Sequence, residues 1–266
     1  MASTATARRL EGRRVLVVGA SSGIGRIVGL RLSDEGADVA FAARRGALCE
    51  EAAAEASGTA VGLACDVTDP AACERVVAEA AERLGGLDDV VYATGLTALV
   101  ALADADVDCW RRTLDTNVVG AALVTRAALP HLQRSGGSVV YLSSASSHTG
   151  PWPGIGVYTA SKAALNRMIE TWRAEHPEVG FARVSLGPTN DGGTAVEADE
   201  SAFPHLARWM PMGLFSGALG DAVSVAGAVT SVLADSSRVW EVTVQPRNAA
   251  LPWDGASDVG RGRNPG

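Results

Sequence analysis

Short apolar runs alternate with longer helical patterns along most of this chain, and this alternation limits its possible folds more than any other feature. Such a rhythm is typical of βαβ units and a mostly parallel sheet. The apolar runs are rich in Val, Ala and Leu with little strict alternation, as expected of strands covered on both faces. They predict strands over residues 14–18, 38–43, 60–65, 89–94, 138–143, 180–186 and 240–244.

The patterns between these runs predict helices over residues 24–35, 48–56, 70–84, 107–132, 157–175 and 221–234. Asp69 followed by Pro70 predicts an N-cap and a first helical residue. The expected architecture is α/β, a single-domain, doubly wound, Rossmann-type parallel sheet of about seven strands with helices on both faces. At 266 residues the chain can bury a full core, and we assign residues 13–250 to this one domain.

Three segments fall outside this rhythm. The N-terminal residues 1–12 and the tail 251–266 are expected to be mobile, because they are small, polar or rich in Gly, Arg, Asn and Pro. Residues 189–217 form a long irregular insert that contains Phe, Trp and Met, a composition that argues against disorder. We predict a substrate lid there; core packing or a subunit contact would explain the same residues equally well.

The charge balance excludes several classes of partner. A formal charge of −7 and a pI near 5.2 argue against a general attraction to nucleic acid or to an anionic membrane. The first apolar run is too short for a signal sequence or a membrane span, so we expect a cytoplasmic protein. The four cysteines lack CxxC spacing, and no histidine clusters with Cys, Asp or Glu, so no metal site is expected.

A glycine-rich turn follows the first predicted strand and leads into the first predicted helix. Glycines let the backbone turn tightly and approach a pyrophosphate, whose negative charge is favoured at a helix N-terminus. This context favours a dinucleotide site, although a tight turn alone would also account for the glycines. The candidate residues are Gly19, Ser21, Ser22, Gly23, Ile24 and Gly25.

Two arginines, Arg44 and Arg45, follow the second predicted strand, where the adenosine ribose of a dinucleotide binds. An acidic residue there would hold a ribose 2′-hydroxyl, but this chain has Ala43 before the arginines. Two guanidiniums would instead pair with a 2′-phosphate, which favours NADP(H) over NAD(H); a solvated arginine pair is the alternative. Asp66, after the third strand, could accept from the adenine amino group or cap the following turn.

Tyr158 and Lys162 stand at i and i+4 in a predicted helix, fourteen residues and more after Ser144. Side chains with this spacing share one helix face, so a phenol and an ammonium can converge on a single substrate oxygen. Together with a dinucleotide site, this pair predicts hydride transfer.

These motifs together resemble those of the classical short-chain dehydrogenases/reductases, in family order and at nearly family spacing, from about residue 12 to residue 244. Each motif alone would be weak, whereas the ordered set is specific. The motifs are the glycine turn, Cys65-Asp66-Val67, Asn117 in Thr116-Asn117-Val118, Ser143-Ser144, and Tyr158-Thr159-Ala160-Ser161-Lys162.

The resemblance implies roles for the site residues. Tyr158 would exchange a proton with the substrate oxygen, its phenol pKa being brought toward neutrality by nearby cations. Lys162 would supply that charge and hydrogen-bond the nicotinamide ribose, and Ser144 would polarise the carbonyl or alcohol oxygen. Asn117 would hold a bend and a water leading from Lys162; without the resemblance it reads as an ordinary helix residue. Val67 would contact the cofactor.

The chain departs from the family pattern in four respects. The interval from the serine to Tyr158 is one residue longer than the commonest spacing, so Ser144 is preferred over Ser143 or Ser146 by its position in the strand. Tyr92-Ala93-Thr94-Gly95 replaces Asn-Asn-Ala-Gly, so Gly95 still allows close approach to the cofactor but the amides that tie down the sheet are absent. Leu186-Gly187-Pro188-Thr189 stands where the family mostly shows Pro-Gly, which bears on nicotinamide contacts from Pro188 and Thr189. The last strand lacks the usual glycines.

The expected activity is therefore an NADP(H)-dependent oxidoreductase that interconverts a ketone and a secondary alcohol, with the aromatic insert suggesting a bulky apolar small molecule. The resemblance also implies a homotetramer or homodimer. The alternative is a non-catalytic NADP(H)-binding regulatory protein with the same fold. An epimerase or dehydratase of the extended type is disfavoured, because 266 residues leave little room for an added substrate domain.

Overall fold

The computed structural model describes residues 8–190, 208–215 and 217–247. A seven-stranded parallel sheet forms its centre, with the strand order β3-β2-β1-β4-β5-β6-β9. This confirms the predicted doubly wound fold. The sheet strands are β1 (Arg14–Val18), β2 (Asp38–Ala43), β3 (Ala60–Ala64), β4 (Asp89–Tyr92), β5 (Ser138–Ser144), β6 (Gly180–Leu186) and β9 (Glu241–Val244). Between β6 and β9, β7 (Thr189–Asn190) pairs with β8 (Gly220–Asp221) in a separate small sheet.

Helices cover both faces of the large sheet, and each face has its own apolar core. On one face α1, α2 and α7 pack on the sheet; on the other α3, α5 and α6 do so. Strands covered on both sides are apolar throughout, which explains the continuous runs in the sequence. The helices are α1 (Gly23–Asp34), α2 (Gly46–Glu55), α3 (Pro70–Arg83), α4 (Val107–Leu114), α5 (Gly120–Ser135), α6 (Gly156–Glu175) and α7 (Ala222–Ala234).

The predicted helix 107–132 is not continuous, which corrects the sequence interpretation. A π-helical turn, Asp115–Val119, separates α4 from α5, and the Gly120 N–H is bonded to the Asp115 carbonyl across it. A single π turn between two α-helical segments lets the helix continue, but with one wider turn at this point. Hydrophobic periodicity does not register such a turn, so the sequence predicted one helix through it.

Two arginine–aspartate pairs fix β1 to β4 at the amino ends of the strands. Arg13 Nε and Nη2 donate to the fully buried Asp89 carboxylate at 2.6–2.9 Å. Arg14 Nε and Nη2 donate to Asp88 at 2.8 and 2.7 Å. Fork-shaped guanidinium contacts of this kind set geometry as well as charge. They hold together the two strands whose carboxyl ends frame the candidate site.

Parts of the predicted terminal segments and lid lie outside the described residues, namely 1–7, 191–207, 216 and 248–266. Residues 8–12 of the segment expected to be mobile are placed, and Leu10 is buried, with its N–H bonded to the Glu35 carbonyl at 2.9 Å. Within the described ranges, no helix is long and apolar enough to cross a membrane. The same ranges contain no group of three metal-binding side chains.

Candidate active site

The candidate site lies at the carboxyl ends of β1 and β4, where the chain reverses the direction in which it adds strands. Ligands of open α/β sheets bind at this kind of position. Gly19, directly after β1, has a φ of +96° and packs against Thr94, where a methyl group would lie 2.6 Å from the Thr94 nitrogen. Gly23 has a φ of +57°. Both positions therefore favour glycine for conformational reasons.

The N-terminus of α1 is arranged for close approach by a ligand. A side chain at Gly25 would collide with the Gly19 carbonyl, so the helix can start against the turn only with glycine there. Ser22 is the N-cap residue, but its side chain makes no capping hydrogen bond. Helix N-terminal N–H groups without side-chain caps are donors for an anion. Ser21, Ser22 and Ile24 line this turn, as the sequence predicts, and the donor set fits a pyrophosphate.

The arginines predicted to select the cofactor flank this turn. The Arg45 Nη2 donates to Ser21 Oγ at 3.0 Å and to Ser22 Oγ at 2.6 Å, so its guanidinium lies directly over the glycine turn. Arg44 is exposed. The Arg44 charge helps to lower the pKa of Asp66, although hydrogen bonds from Thr68 are the main cause.

Asp66 and Val67 occupy the turn after β3. Asp66 Oδ1 accepts from Thr68 N at 3.0 Å and from Thr68 Oγ1 at 2.8 Å, the turn-capping role that the sequence left open. Val67 is buried and contacts the start of α5, since a methyl group on Gly120 would lie 2.9 Å from its side chain. Asp66 is exposed.

Tyr158 lies in the first turn of α6. Burial raises the pKa of its phenol, while hydrogen bonding with the hydroxyls of Ser144 and Thr97 lowers it. Lys162 lies one turn later in α6, with its Nζ 5.8 Å from the centroid of the Tyr158 ring. The structure thus brings together three of the predicted residues, Ser144, Tyr158 and Lys162, and adds Thr97.

Lys162 is buried, and its Nζ donates to the Leu142 carbonyl at 2.8 Å. Burial lowers its pKa from 10.5 to about 8. The expectation that a cation brings the Tyr158 pKa toward neutrality is not met in this structure, because burial disfavours the charged form of both groups. Desolvation therefore moves the pKa of Lys162 toward neutral pH and that of Tyr158 away from it.

The neighbouring serines divide into two environments. Ser144 ends β5, and its Oγ lies 2.9 Å from Ser146 Oγ and accepts from Ser146 N at 3.2 Å. Ser143 points to the other face of the sheet, where its hydroxyl donates to Asn166 Oδ1 at 2.6 Å. Successive residues of a strand face opposite ways, so only one of the pair can reach Tyr158.

Asn117 sits in the π turn and is fully buried. Its Oδ1 accepts from Leu96 N at 2.7 Å, and its Nδ2 donates to Leu96 O at 3.0 Å and to Ser161 Oγ at 2.9 Å. The side chain therefore ties the segment after β4 to α6. The π turn interrupts the α-helical hydrogen bonding here, whereas the bend and the water expected from the resemblance stay predictions.

The departures from the family pattern have structural counterparts. The Tyr92 phenol donates to the Thr116 carbonyl at 2.6 Å, which replaces the missing amide tie with a different one. A methyl group on Gly95 would lie 3.5 Å from Lys162 Nζ, so this glycine borders Lys162. The Pro188 carbonyl accepts from Gly220 N at 2.8 Å, and Thr189 Oγ1 donates to the Gly187 carbonyl at 2.9 Å.

An aromatic and aliphatic cluster packs beside Tyr158. The rings of Trp152 and Trp209 meet edge to face, with centroids 5.3 Å apart, and Trp209 Nε1 donates to the Pro153 carbonyl at 2.8 Å. The described end of the predicted lid, residues 208–215, thereby packs against the segment that precedes α6. The other members of the cluster are Leu99, Ile155, Leu214 and Phe215.

Sequence reasoning missed Thr97, Trp152 and the supporting role of Ser161. Thr97 and Trp152 lie in irregular segments without hydrophobic periodicity, so no pattern marks them. Ser161 stands inside the Tyr158–Lys162 motif, and its position between two functional residues was the available signal.

Comparison with known proteins agrees with the site geometry. The family model for short chain dehydrogenase matches residues 13–202. An 11-beta-hydroxysteroid dehydrogenase A from Sesamum indicum is 36% identical over 184 residues, which cover 67% of this chain and 53% of that protein. A meso-2,3-butanediol dehydrogenase from Serratia marcescens is 30% identical over 182 residues, with 68% of this chain and 72% of that protein covered.

Solved structures extend the likeness beyond the matched segment. A dehydrogenase/reductase from Sinorhizobium meliloti 1021 superposes with a TM-score of 0.77 at 28% identity, covering 90% of this chain and 96% of that one. The matched region spans about half the length of the first of the curated relatives, the 11-beta-hydroxysteroid dehydrogenase. The family match, the sheet topology and the convergence of Ser144, Tyr158 and Lys162 lead to one assignment: the chain belongs to the short-chain dehydrogenase/reductase family.

Proposed function

We propose that the protein is an NADP(H)-dependent oxidoreductase that interconverts a ketone and a secondary alcohol on a bulky apolar small molecule. The observation that carries this proposal is that the Ser144 hydroxyl is near enough to the Tyr158 phenol for hydrogen bonding to lower the phenol pKa, with buried Lys162 one helical turn away. Two hydroxyls this close can both turn toward one substrate oxygen. That is the geometry needed to polarise a carbonyl and protonate it.

In the reductive direction, Ser144 donates a hydrogen bond to the carbonyl oxygen and Tyr158 transfers its proton to the same atom. A reduced nicotinamide bound at this site would supply the hydride for the carbonyl carbon. The hydrogen bond to the Leu142 carbonyl holds the Lys162 side chain and uses one of the three N–H donors of its ammonium. The other two donors can bind cofactor hydroxyls. In the oxidative direction the same groups act in reverse, with Tyr158 accepting the alcohol proton.

The surroundings of Tyr158 support an apolar substrate. Trp152 and Trp209 are each 9% exposed and, with Ile155 and Phe215, present apolar surface beside the phenol. Aromatic side chains offer large contact areas to flat or cyclic ligands. Substrate pockets are mostly apolar with a few convergent polar groups, and here the convergent groups are hydroxyls.

Screening for turnover tests the proposal directly. Purified protein is mixed with NADPH and a panel of cyclic and aromatic ketones, and loss of reduced-nicotinamide absorbance is followed. Oxidation of NADPH that depends on the ketone supports the proposal. Binding of NADPH without turnover on any member of the panel would favour the non-catalytic regulatory alternative.

We expect NADPH to bind at least tenfold more tightly than NADH, about 1.4 kcal/mol. The reason is the pair of guanidiniums after β2, Arg45 in contact with the glycine turn and Arg44 exposed next to it in sequence, with Ala43 where a carboxylate would otherwise select NAD(H). Fluorescence titration of both cofactors measures the ratio. Replacing both arginines with alanine should remove most of the preference, whereas Arg134→Ala, which removes one charge at the C-terminal end of α5, should leave it intact. Equal affinities in the unmodified protein would refute NADP(H) selection.

We also propose that the protein forms a homodimer or homotetramer through the helices of residues 107–135 and 156–175. Val107 and Val119 are 60% and 45% exposed on the first of these segments, and neighbouring alanines allow close packing. Light scattering coupled to size-exclusion chromatography should give a mass of two or four chains. A monomer at micromolar concentration would contradict this expectation, and Val119→Glu should shift an oligomer toward smaller species.

A further inference from the structure

Tyr92, the last residue of β4, is 1% exposed and reaches out of the sheet toward the π turn. Its phenol donates to the Thr116 carbonyl at 2.6 Å, the residue that directly precedes Asn117. A buried phenol needs a hydrogen-bond partner, and this partner is a backbone atom of the turn itself. Tyr92 therefore ties the central strand to the π turn.

Asn117 extends this connection to the catalytic helix. Its amide clamps both backbone groups of Leu96 and donates to Ser161 Oγ. The Ser161 hydroxyl in turn donates to the Tyr158 carbonyl at 2.7 Å. Asn117 and Ser161 are both fully buried, so these hydrogen bonds are shielded from competition by bulk water.

Gly120 leaves room for the Tyr92 phenol. It follows the π turn, and a methyl group there would lie 2.8 Å from the Tyr92 oxygen and 2.9 Å from the side chain of Val67. Contacts this short force the neighbouring group to move. The phenol thus occupies space that only glycine leaves at this position.

We propose that Tyr92 is a positioning residue for Tyr158 and Lys162, acting through Thr116, Asn117 and Ser161. This inference rests on the proposed function, since it concerns the geometry of the same reaction. Tyr92 does not reach the substrate itself; it fixes the turn whose asparagine holds both the segment 94–97 and the first turns of α6. Small displacements of reacting groups lower rates strongly, about a hundredfold for 1 Å.

The fold supplies a matched control for this role. Tyr141 lies opposite Tyr92 in the β4–β5 register and is also fully buried. Its phenol also ties the sheet to α5, at 2.7 Å from Thr125 Oγ1, but the Thr125 hydroxyl donates to the Ala121 carbonyl, so this connection stays within α5 and does not run to Asn117 or Ser161. Tyr92→Phe and Tyr141→Phe therefore each remove one buried phenol hydroxyl from the same sheet face.

Steady-state kinetics and thermal unfolding of both variants test the proposal. We expect Tyr92→Phe to lower kcat about tenfold with the ketone KM within about twofold, as for loss of a supporting contact. Tyr141→Phe should keep kcat within about twofold while losing a similar amount of thermal stability. If Tyr92→Phe does not fold, Gly120→Ala displaces the same phenol from the other side. Equal kcat in the two tyrosine variants, or failure of both Tyr92→Phe and Gly120→Ala to fold, would overturn the positioning role.

A second readout does not need turnover. Lys162 is the only lysine in the sequence, so isotope-labelled lysine gives one side-chain NMR signal, whose pH titration reports on the Tyr158–Lys162 pair. The groups that face its Nζ are the Leu142 carbonyl and the Tyr158 ring. Loosened packing in Tyr92→Phe should admit water and move the Lys162 titration upward, with Tyr141→Phe unchanged. Identical titrations in both variants would contradict the positioning role, whereas absence of ketone turnover in the unmodified protein would contradict only the proposed function.

Discussion

Replacing Tyr158 with phenylalanine should lower kcat by about two to four powers of ten while leaving NADP(H) affinity nearly unchanged. The substitution removes the phenol hydroxyl beside Ser144 and Thr97, and with it the proposed proton donor for the carbonyl oxygen. The ring and its packing against the aromatic cluster are retained, so the fold and the cofactor site should persist. Stopped-flow or steady-state assays with NADPH and an active ketone measure the rate, and fluorescence titration measures the affinity.

Adjacent serines provide the control for this experiment. Ser144→Ala removes the second hydroxyl at the phenol and should also lower kcat strongly, because a polarising donor is lost. Ser143→Ala removes a hydroxyl from the next residue of the same strand, but one that faces Asn166, and should affect stability more than rate. A Tyr158→Phe protein that keeps most of its activity would exclude the acid/base mechanism and favour the non-catalytic alternative.

The sequence predicted the fold well because its signals are local. Strands β1, β2 and β6 have the predicted bounds. The predicted N-cap at Asp69 is also formed, since Asp69 Oδ1 accepts from Ala71 N at 2.9 Å. The π turn at Asp115–Val119 could not be predicted, because one additional residue in a helical turn changes hydrogen bonding without changing which residues are apolar. Tertiary contacts stabilise this turn: Tyr92, in β4, and Leu96, in the loop after β4, both hydrogen-bond to it.

The candidate site could be predicted only where motifs fix it. The glycines at 19, 23 and 25 follow from backbone geometry, and Tyr158 with Lys162 follows from helical spacing. Side chains contributed by irregular segments, such as Thr97 and Trp152, depend on how distant loops pack, which no periodicity encodes. The electrostatics also depend on tertiary burial: Lys162 and Tyr158 are desolvated together, so neither pKa could be derived from the nearness of the other in sequence.

Replacing Lys162 with methionine should stabilise the fold at neutral pH while it weakens both turnover and cofactor binding. Lys162 is buried, and burial lowers its pKa from 10.5 to about 8. At a pH below both values, the lysine is charged in the folded and unfolded states, and the folded state bears the cost of desolvating the ammonium. A pKa shift of this size corresponds to a destabilisation of the folded state by at most about 3 kcal/mol. The substitution recovers only part of this free energy, because it also removes the hydrogen bond to Leu142 O.

The pH dependence separates this cause from a general packing effect. Between pH 8 and 10.5 the unfolded chain binds the lysine proton and the folded chain does not, so stability of the unmodified protein should rise with pH in this window. Methionine carries no charge at any pH. The free energy of unfolding of Lys162→Met should therefore exceed that of the unmodified protein most near neutral pH, and the difference should shrink as the pH rises. Denaturant unfolding of both proteins at several pH values measures the difference.

The same substitution should lower kcat, because Lys162 borders Tyr158 and Gly95 and offers donors to the cofactor. The variant Tyr158→Phe/Lys162→Met should be little slower than the slower single variant, since groups that act as a unit lose their shared contribution once. A Lys162→Met protein that is less stable at every pH would show that the ammonium is well solvated or paired in the folded state. A more stable but inactive protein would mean that the chain retains a buried, destabilising cation because the chemistry at Tyr158 requires it.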